Sequence, residues 1–314
     1  FELSLNTHPI TGKFEWDSDF QISFNKNKLK GLAGTANAQI VGYGQWTDVV
    51  SVSSVGESLY NFYGFVCDGV YKDLEDLQTS PKPAKYPANG VFDRTNTVWV
   101  GDVKYKDISG PDGVPDGVID DYDKTNIGSP MPKFTFGWTN TFRYKNFDLS
   151  VFINGSYGNK VYNYLSMKLT HMNSPWTNQL NAVNGRAQLV PINPNKVYED
   201  GTMWYNDVSN VMVANPGASI PRATINDPND NDRISDRYIE DGSYLRLKNI
   251  SLGYTFPKKT IDKLGLSNLR IYANIQNLLT ITGYDGYDPE IGASTSSVNV
   301  YGLDNGRYPP PTVY

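Results

Sequence analysis

The stretch from Lys133 to Tyr157, KFTFGWTNTFRYKNFDLSVFINGSY, limits what this chain can become more than any other. Phe134, Phe136, Trp138, Asn140, Phe142 and Tyr144 alternate with Lys133, Thr135, Gly137, Thr139, Thr141 and Arg143. After Lys145-Asn146 the apolar set moves to Phe147, Leu149, Val151 and Ile153, opposite Asp148, Ser150 and Asn154. Strand side chains alternate between faces with period two, so each half reads as a strand with one greasy and one wet face. The short link makes the pair antiparallel. Each strand is about as long as the 9–11 residues that a tilted membrane-crossing strand needs. The greasy face must meet either a protein core or lipid.

Composition decides part of this. Hydrophobic residues make up 39% of the 314, and the mean hydropathy is -0.47. No run approaches the roughly 18 consecutive apolar residues of a membrane helix, which excludes a helical membrane protein but not a barrel, whose strands dilute each apolar residue with a polar one. The 22 Tyr and 6 Trp suit interfaces, since each ring has an apolar body and a polar tip. A net charge of -5 without a Lys/Arg-rich block argues against nucleic acid. A single cysteine, Cys67, allows no internal disulfide. The chain opens at Phe1 inside the strand-like run FELSL, as an interior or processed piece of a longer polypeptide would.

Along the chain, Phe14, Trp16, Phe20, Ile22 and Phe24 share one face of a second long strand, against Glu15, Asp17, Asp19, Gln21 and Ser23. A strand is expected around Gln45–Val52, an aromatic-dense one over Leu59–Tyr71 and a short one at Thr97–Tyr105. Residues 158–242 carry scattered Pro, Asn and Asp with little periodicity. Ser243–Phe256 reads as a strand that changes phase, with Leu245 and Leu247 on one face and Ile250, Leu252, Tyr254 and Phe256 on the other; a bulge near Asn249 accounts for it. A helical turn at Thr260–Leu264 precedes a last strand marked by Leu269, Ile271, Ala273, Ile275, Leu279 and Ile281. Short links alternate with long loops, the pattern of outer-membrane barrels, with short periplasmic turns and long extracellular loops.

The runs LYNFYGFVCDGVY, GDVKYKDISGPDGVPDGVIDDYDKTNIGSPMPKFTFGWTNTFRYKNFDLSVFINGSYGN, ISDRYIEDGSYLRLKNISLGYTFPKK and LRIYANIQNLLTITGYDGYDPE together resemble the C-terminal part of SusC/RagA-type TonB-dependent transporters. The similarity leaves out only the loops at 28–58, 72–96 and 158–232. It implies an all-β fold, the C-terminal portion of an antiparallel transmembrane barrel of about 22 strands. Roughly eight of those strands are expected here, with long extracellular loops near 72–132, 158–242 and 282–312. The N-terminal plug, the TonB box and a final strand are expected to lie outside this chain. The resemblance further implies import of an oligosaccharide or peptide across the outer membrane of a Gram-negative bacterium of the Bacteroidetes. Its implied partners are a SusD-like surface lipoprotein lid, TonB, outer-membrane lipid and a second SusC–SusD pair in a dimer of pairs. No cofactor is required. A competing class is a soluble or surface β-rich glycan-binding module, which expects the apolar face of Lys133–Tyr157 to be buried against a second sheet. A porin without energy coupling is a third reading.

Two sets of residues stand out as sites. Asp107, Ser109, Asp112, Asp116, Asp120 and Asp123 fall in a Gly-rich acidic run. Closely spaced carboxylates with turn glycines suit a structural Ca²⁺, a hard cation wanting about six to eight oxygens. The spacing is incomplete, because the third position of an EF-like loop is Val114 and the twelfth is Asp123 instead of Glu; a metal-free acidic turn is the alternative. Trp176, Trp204 and Tyr205, with Trp46 and Trp99, are aromatics of the loops; such rings either stack on a ligand or pack the loops together. His8 and His171 lack metal-ligand spacing, and no GxSxG, HExxH, P-loop or GxGxxG pattern is present, so an enzyme is not expected.

Overall fold

Period-two alternation becomes six long strands in the computed structural model, which describes residues 1–33, 38–44, 48–292, 299–306 and 308–314. These are β1 (Glu2–Ile10), β2 (Phe14–Ser23), β3 (Phe134–Tyr144), β4 (Phe147–Tyr157), β5 (Tyr244–Thr255) and β6 (Arg270–Thr282). They stand side by side in chain order, each neighbouring pair antiparallel. Among the described residues the sheet does not close into a barrel: β1 stands at one edge, and beyond β6 there is only the antiparallel bridge of Gln276 with Val313. The expected phase change is a bulge. Phe152 pairs with Asn249 and Ile153 with Leu247, so Lys248 is the extra residue of β5. On β6 the matching irregularity holds Asn277 at a φ of 52°, a left-handed value that Asn tolerates better than most residues.

The register stacks like with like. Phe20, Trp138, Ile153, Leu247 and Leu279 form one row across β2 to β6, and Trp16, Phe142, Leu149, Leu252 and Ala273 another. Thr7, Ser18 and Asn140 form a polar row across this apolar face, and the last two take indole donors on it. Trp138 Nε1 donates to Ser18 Oγ at 2.9 Å, and Trp16 Nε1 donates to Asn140 Oδ1 at 2.9 Å. The opposite face carries cross-strand ion pairs: Arg143 with Asp17 and Glu15, and Arg270 with Asp148 at 2.6 Å. Gly253 lies beneath the last pair, where a Cβ would stand 2.3 Å from Arg270 Nη2 and 2.6 Å from Asp148 Oδ1. Glycine is what lets that bridge form.

Among the described residues no element covers the apolar face. The buried hydrophobic clusters contain no residue of the six strands, and the large apolar side chains of the sheet are half-buried or exposed. The second sheet required by a soluble sandwich is therefore missing among the described residues. The short connections 11–13, 145–146 and 256–269 lie at one end of the sheet, the last holding helical turns at Lys258–Ile261 and Asp262–Leu264. The segments 24–133, 158–243 and 283–314 all leave from the other end, and every buried cluster is built from them.

Several expectations need correction. Leu59–Tyr71 is not a wall strand; it gives Asn61–Gly64 and Cys67–Val70, four residues each, which join separate small sheets of the loop body. Phe62, Phe65, Val70 and Tyr71 are buried in loop cores, so the aromatic density reflects packing among loops. The connection between β2 and β3 is accordingly the whole of 24–133, and six strands stand in the wall where about eight are expected from the barrel pattern. Residues 158–242, read as aperiodic, hold short strands, a helix at Tyr164–Thr170 and buried residues such as Val161, Tyr162 and Val211. The strand expected near Gln45–Val52 is Val49–Ser54, and that at Thr97–Tyr105 shrinks to Val103–Tyr105. Trp46 lies outside the described residues.

Candidate functional site

Two of the long loops are joined by a buried polar node. Gly101, at a φ of 87°, turns the chain so that Asp102 Oδ2 accepts the Trp99 N–H at 2.8 Å, with Asp102 wholly buried. Arg222 reaches it from 158–243: its backbone N–H donates to Gly101 O at 2.8 Å, and its Nε donates to Asp102 Oδ1 at 2.7 Å. Asn231 extends the node, donating from Nδ2 to Asp102 and Asp227 and accepting the Val103 N–H at 2.7 Å. Asn229 Nδ2 donates to Val103 O at 2.9 Å. Hydrogen bonds among these buried polar groups fix one arrangement of two loops far apart in sequence.

His171 caps the helix at Tyr164–Thr170 and ends the node. Its Nε2 lies 2.7 Å from Asp227 Oδ2, and its Nδ1 lies 3.1 Å from Asp232 Oδ2. The three side chains gather ligand-type atoms, yet the ring nitrogens face carboxylates on opposite sides, so the arrangement suits an imidazolium donating twice rather than one metal ion. Burial disfavours its charge, but the hydrogen bonds to Asp227 and Asp232 outweigh this and push the His171 pKa up to about 9. Because the folded value is raised, the clamp contributes fully below the ordinary pKa of about 6.5 and is lost as pH rises through about 9. Between those values stability should fall by up to ~1.4 kcal/mol per pH unit. Hydrogen-exchange protection of 164–171 and 227–232 should show this slope, and His171→Gln should flatten it; equal slopes would refute the clamp.

The predicted residues divide. Trp204 and Tyr205 lie together, edge to face at 5.6 Å, with Trp204 packed on the core of Trp99, Val211 and Val213. The Arg94 guanidinium sits 5.0 Å over the Tyr205 ring. Trp176 is 93% exposed, and no ring pairing joins it to them among the described residues. In the acidic run the carboxylates turn toward backbone. Asp123, fully buried, accepts from Ile108, Ser109 and Asp120 N–H groups. Asp107 Oδ2 accepts from Gly117 N at 2.6 Å, Asp116 from Val118 N and Asp120 from Tyr122 N. Asp112 is exposed and joins none of these bonds. No three carboxylates of this set converge within ligand distance among the described residues. Asp107 Oδ1 is nonetheless buried without a partner. Beside the run, a cavity of about 720 Å³ is lined by Asp120, Tyr122, Lys168, Asp232 and Arg233.

Sequence reading missed Asp102, Arg222, Asp227 and the role of His171. The one local signal was DPNDNDR at 227–233, an Asp-Pro turn dense in groups that bond their own backbone.

Fold and loops together define a wall of antiparallel strands, apolar on one side and charged on the other, with a structured loop body on a single end. A scan against models of protein families finds no match. Among curated proteins the chain is 32% identical to TonB-dependent receptor P3 of Formosa agariphila over 98% of its own length and 27% of that receptor. It is 26% identical to TonB-dependent receptor SusC of Bacteroides thetaiotaomicron, covering 98% of this chain and 24% of SusC. Among solved structures, the RagAB peptide transporter superposes with a TM-score of 0.61 at 17% identity, covering 99% of this chain and 28% of that one, a likeness of fold. The chain is thus similar in sequence to TonB-dependent receptors, SusC among them, and it spans about a quarter of the length of the relatives it matches.

Proposed function

We propose that this chain supplies part of the wall and extracellular loops of an outer-membrane, TonB-dependent importer of a nutrient, an oligosaccharide or a peptide. The observation that carries the reading is the uncovered apolar face of β1 to β6 beside a charged face, with all long segments at one end. In lipid an apolar face needs no protein cover, and the indole bonds to Ser18 and Asn140 satisfy polar groups where water is absent. The charged face then lines the lumen, and 145–146 lies at the periplasmic rim. A SusD-like lid over the loops, energy delivered by TonB, assembly as a dimer of such pairs and a barrel of about 22 strands belong to the same reading. Binding is non-covalent, and no enzymatic step is involved. The full-length protein should leave membranes only with detergent; recovery of residues 1–314 as a folded, soluble monomer would refute the reading.

A structural calcium on the acidic run is part of the proposal. Asp107, with its orphaned Oδ1, and Asp116 would hold it, and the ion would neutralise carboxylates otherwise capped by backbone N–H groups alone. Adding EGTA should then lower the protease resistance of 107–123 in the wild type but not in Asp107→Asn.

A further inference from the structure

A second cleft, of about 340 Å³, opens between the two stitched loops and is lined by Arg94, Thr95, Arg222, Thr224 and Asn226. Two guanidinium groups share it. Arg222 is 3% exposed; its Nε and Nη2 bond Asp102, and Nη2 also reaches Arg94 O at 3.4 Å. Its Nη1 is buried with no acceptor among the described residues, and so is Nε of Arg94. Asp102 already accepts from Trp99, Asn231 and Arg222. One carboxylate therefore stands against two cations, and buried charged N–H groups lack an acceptor, which natural interiors rarely leave so. Burial first, and then the neighbouring Arg222 charge, hold Arg94 below the ordinary arginine range. An added negative charge would relieve the second effect.

We propose that Arg94 and Arg222 form a carboxylate subsite that takes the acid group of an acidic sugar unit in the imported ligand. Arg222 already gives its Nε and Nη2 to Asp102, so the planar fork that would match a carboxylate in two parallel hydrogen bonds is that of Arg94, with Arg222 adding charge. Around it, Thr95, Thr224 and Asn226 offer hydroxyl and amide groups suited to a hydroxyl-rich ring, and Tyr205 sets the Arg94 plane by stacking. Met172, Ala223 and Ile225 share the lining, so a peptide carboxylate is the competitor against which the sugar assignment is tested. The subsite's place in cargo capture rests on the transport reading, whereas carboxylate binding itself does not.

The test is a thermal-shift titration of the full-length protein in detergent, at constant ionic strength, with sodium glucuronate, neutral glucose and N-acetyl-alanyl-alanine. Glucuronate should raise the unfolding midpoint saturably and glucose should not. The peptide carboxylate should act at least about tenfold more weakly. Arg94→Gln, a half-buried site less exposed to misfolding than Arg222, should weaken the glucuronate response, measured as the shift from its own ligand-free midpoint, by about tenfold. Absence of a glucuronate shift, an equal response to glucose, or a wild-type response in Arg94→Gln would overturn the subsite. An equal or stronger peptide response would overturn the sugar assignment. A protein that needs detergent yet ignores glucuronate would sink this inference and leave the transport reading standing.

Discussion

Asp102→Ala is expected to destabilise the loop body by about 3–5 kcal/mol, the usual effect of removing one partner from a buried ion pair. Four donors end on this carboxylate: Trp99 N, Arg222 Nε, Arg222 Nη2 and Asn231 Nδ2. Alanine would leave the Arg222 side chain, 2% exposed, without a counter-ion and facing the like charge of Arg94. Asp102→Asn keeps the shape and one acceptor, so its effect should be smaller. Adding Arg222→Leu to Asp102→Ala removes the stranded charge, and the double variant should recover part of the loss, as expected for coupled neighbours. Limited proteolysis of the full-length protein reads the result at 94–102 and 218–232. Wild-type resistance in Asp102→Ala would show that the node does not hold the loops together.

That node was invisible in the sequence for a physical reason. Hydrophobic burial imposes a period on a strand, but hydrogen bonding between Asp102 and Arg222 or His171 and Asp227 imposes none. Its members are separated by 120 and 56 positions. The wall, by contrast, was legible almost residue by residue. Strands of 9 to 13 residues with one apolar face repeat their pattern often enough to set register, and even the bulge at Lys248 announced itself as a change of phase from Leu247 to Ile250. Four-residue strands such as Asn61–Gly64 repeat it too few times. There the aromatic content of LYNFYGFVCDGVY misled, because Phe62 and Tyr71 in a loop core and Phe142 on a sheet face look alike without their neighbours. The acidic run was found as a cluster of carboxylates, but sequence spacing could not say that Asp123 and Asp120 would spend their oxygens on backbone N–H groups.

Val151 and Ser150 offer the sharpest test of the wall, since adjacent residues of β4 point to opposite faces. Val151 stands among Asn140 and Ile250 on the apolar side; Ser150 stands between Thr141 and Ser251 on the polar side. If the apolar side meets lipid near the bilayer centre, Val151→Arg should destabilise by about 2–4 kcal/mol, because a guanidinium there must leave water. Ser150→Arg places the same group beside a water-filled lumen and a row of polar residues, so it should change little. Both variants place the same guanidinium side chain at neighbouring positions of one strand, so the environment of the face is the main variable. Heat-modifiability of the detergent-extracted full-length protein on gels, together with its level in the outer membrane, measures both variants. A soluble module would answer differently. With no lipid, Val151→Arg would sit on a half-exposed surface, and the two variants would behave alike.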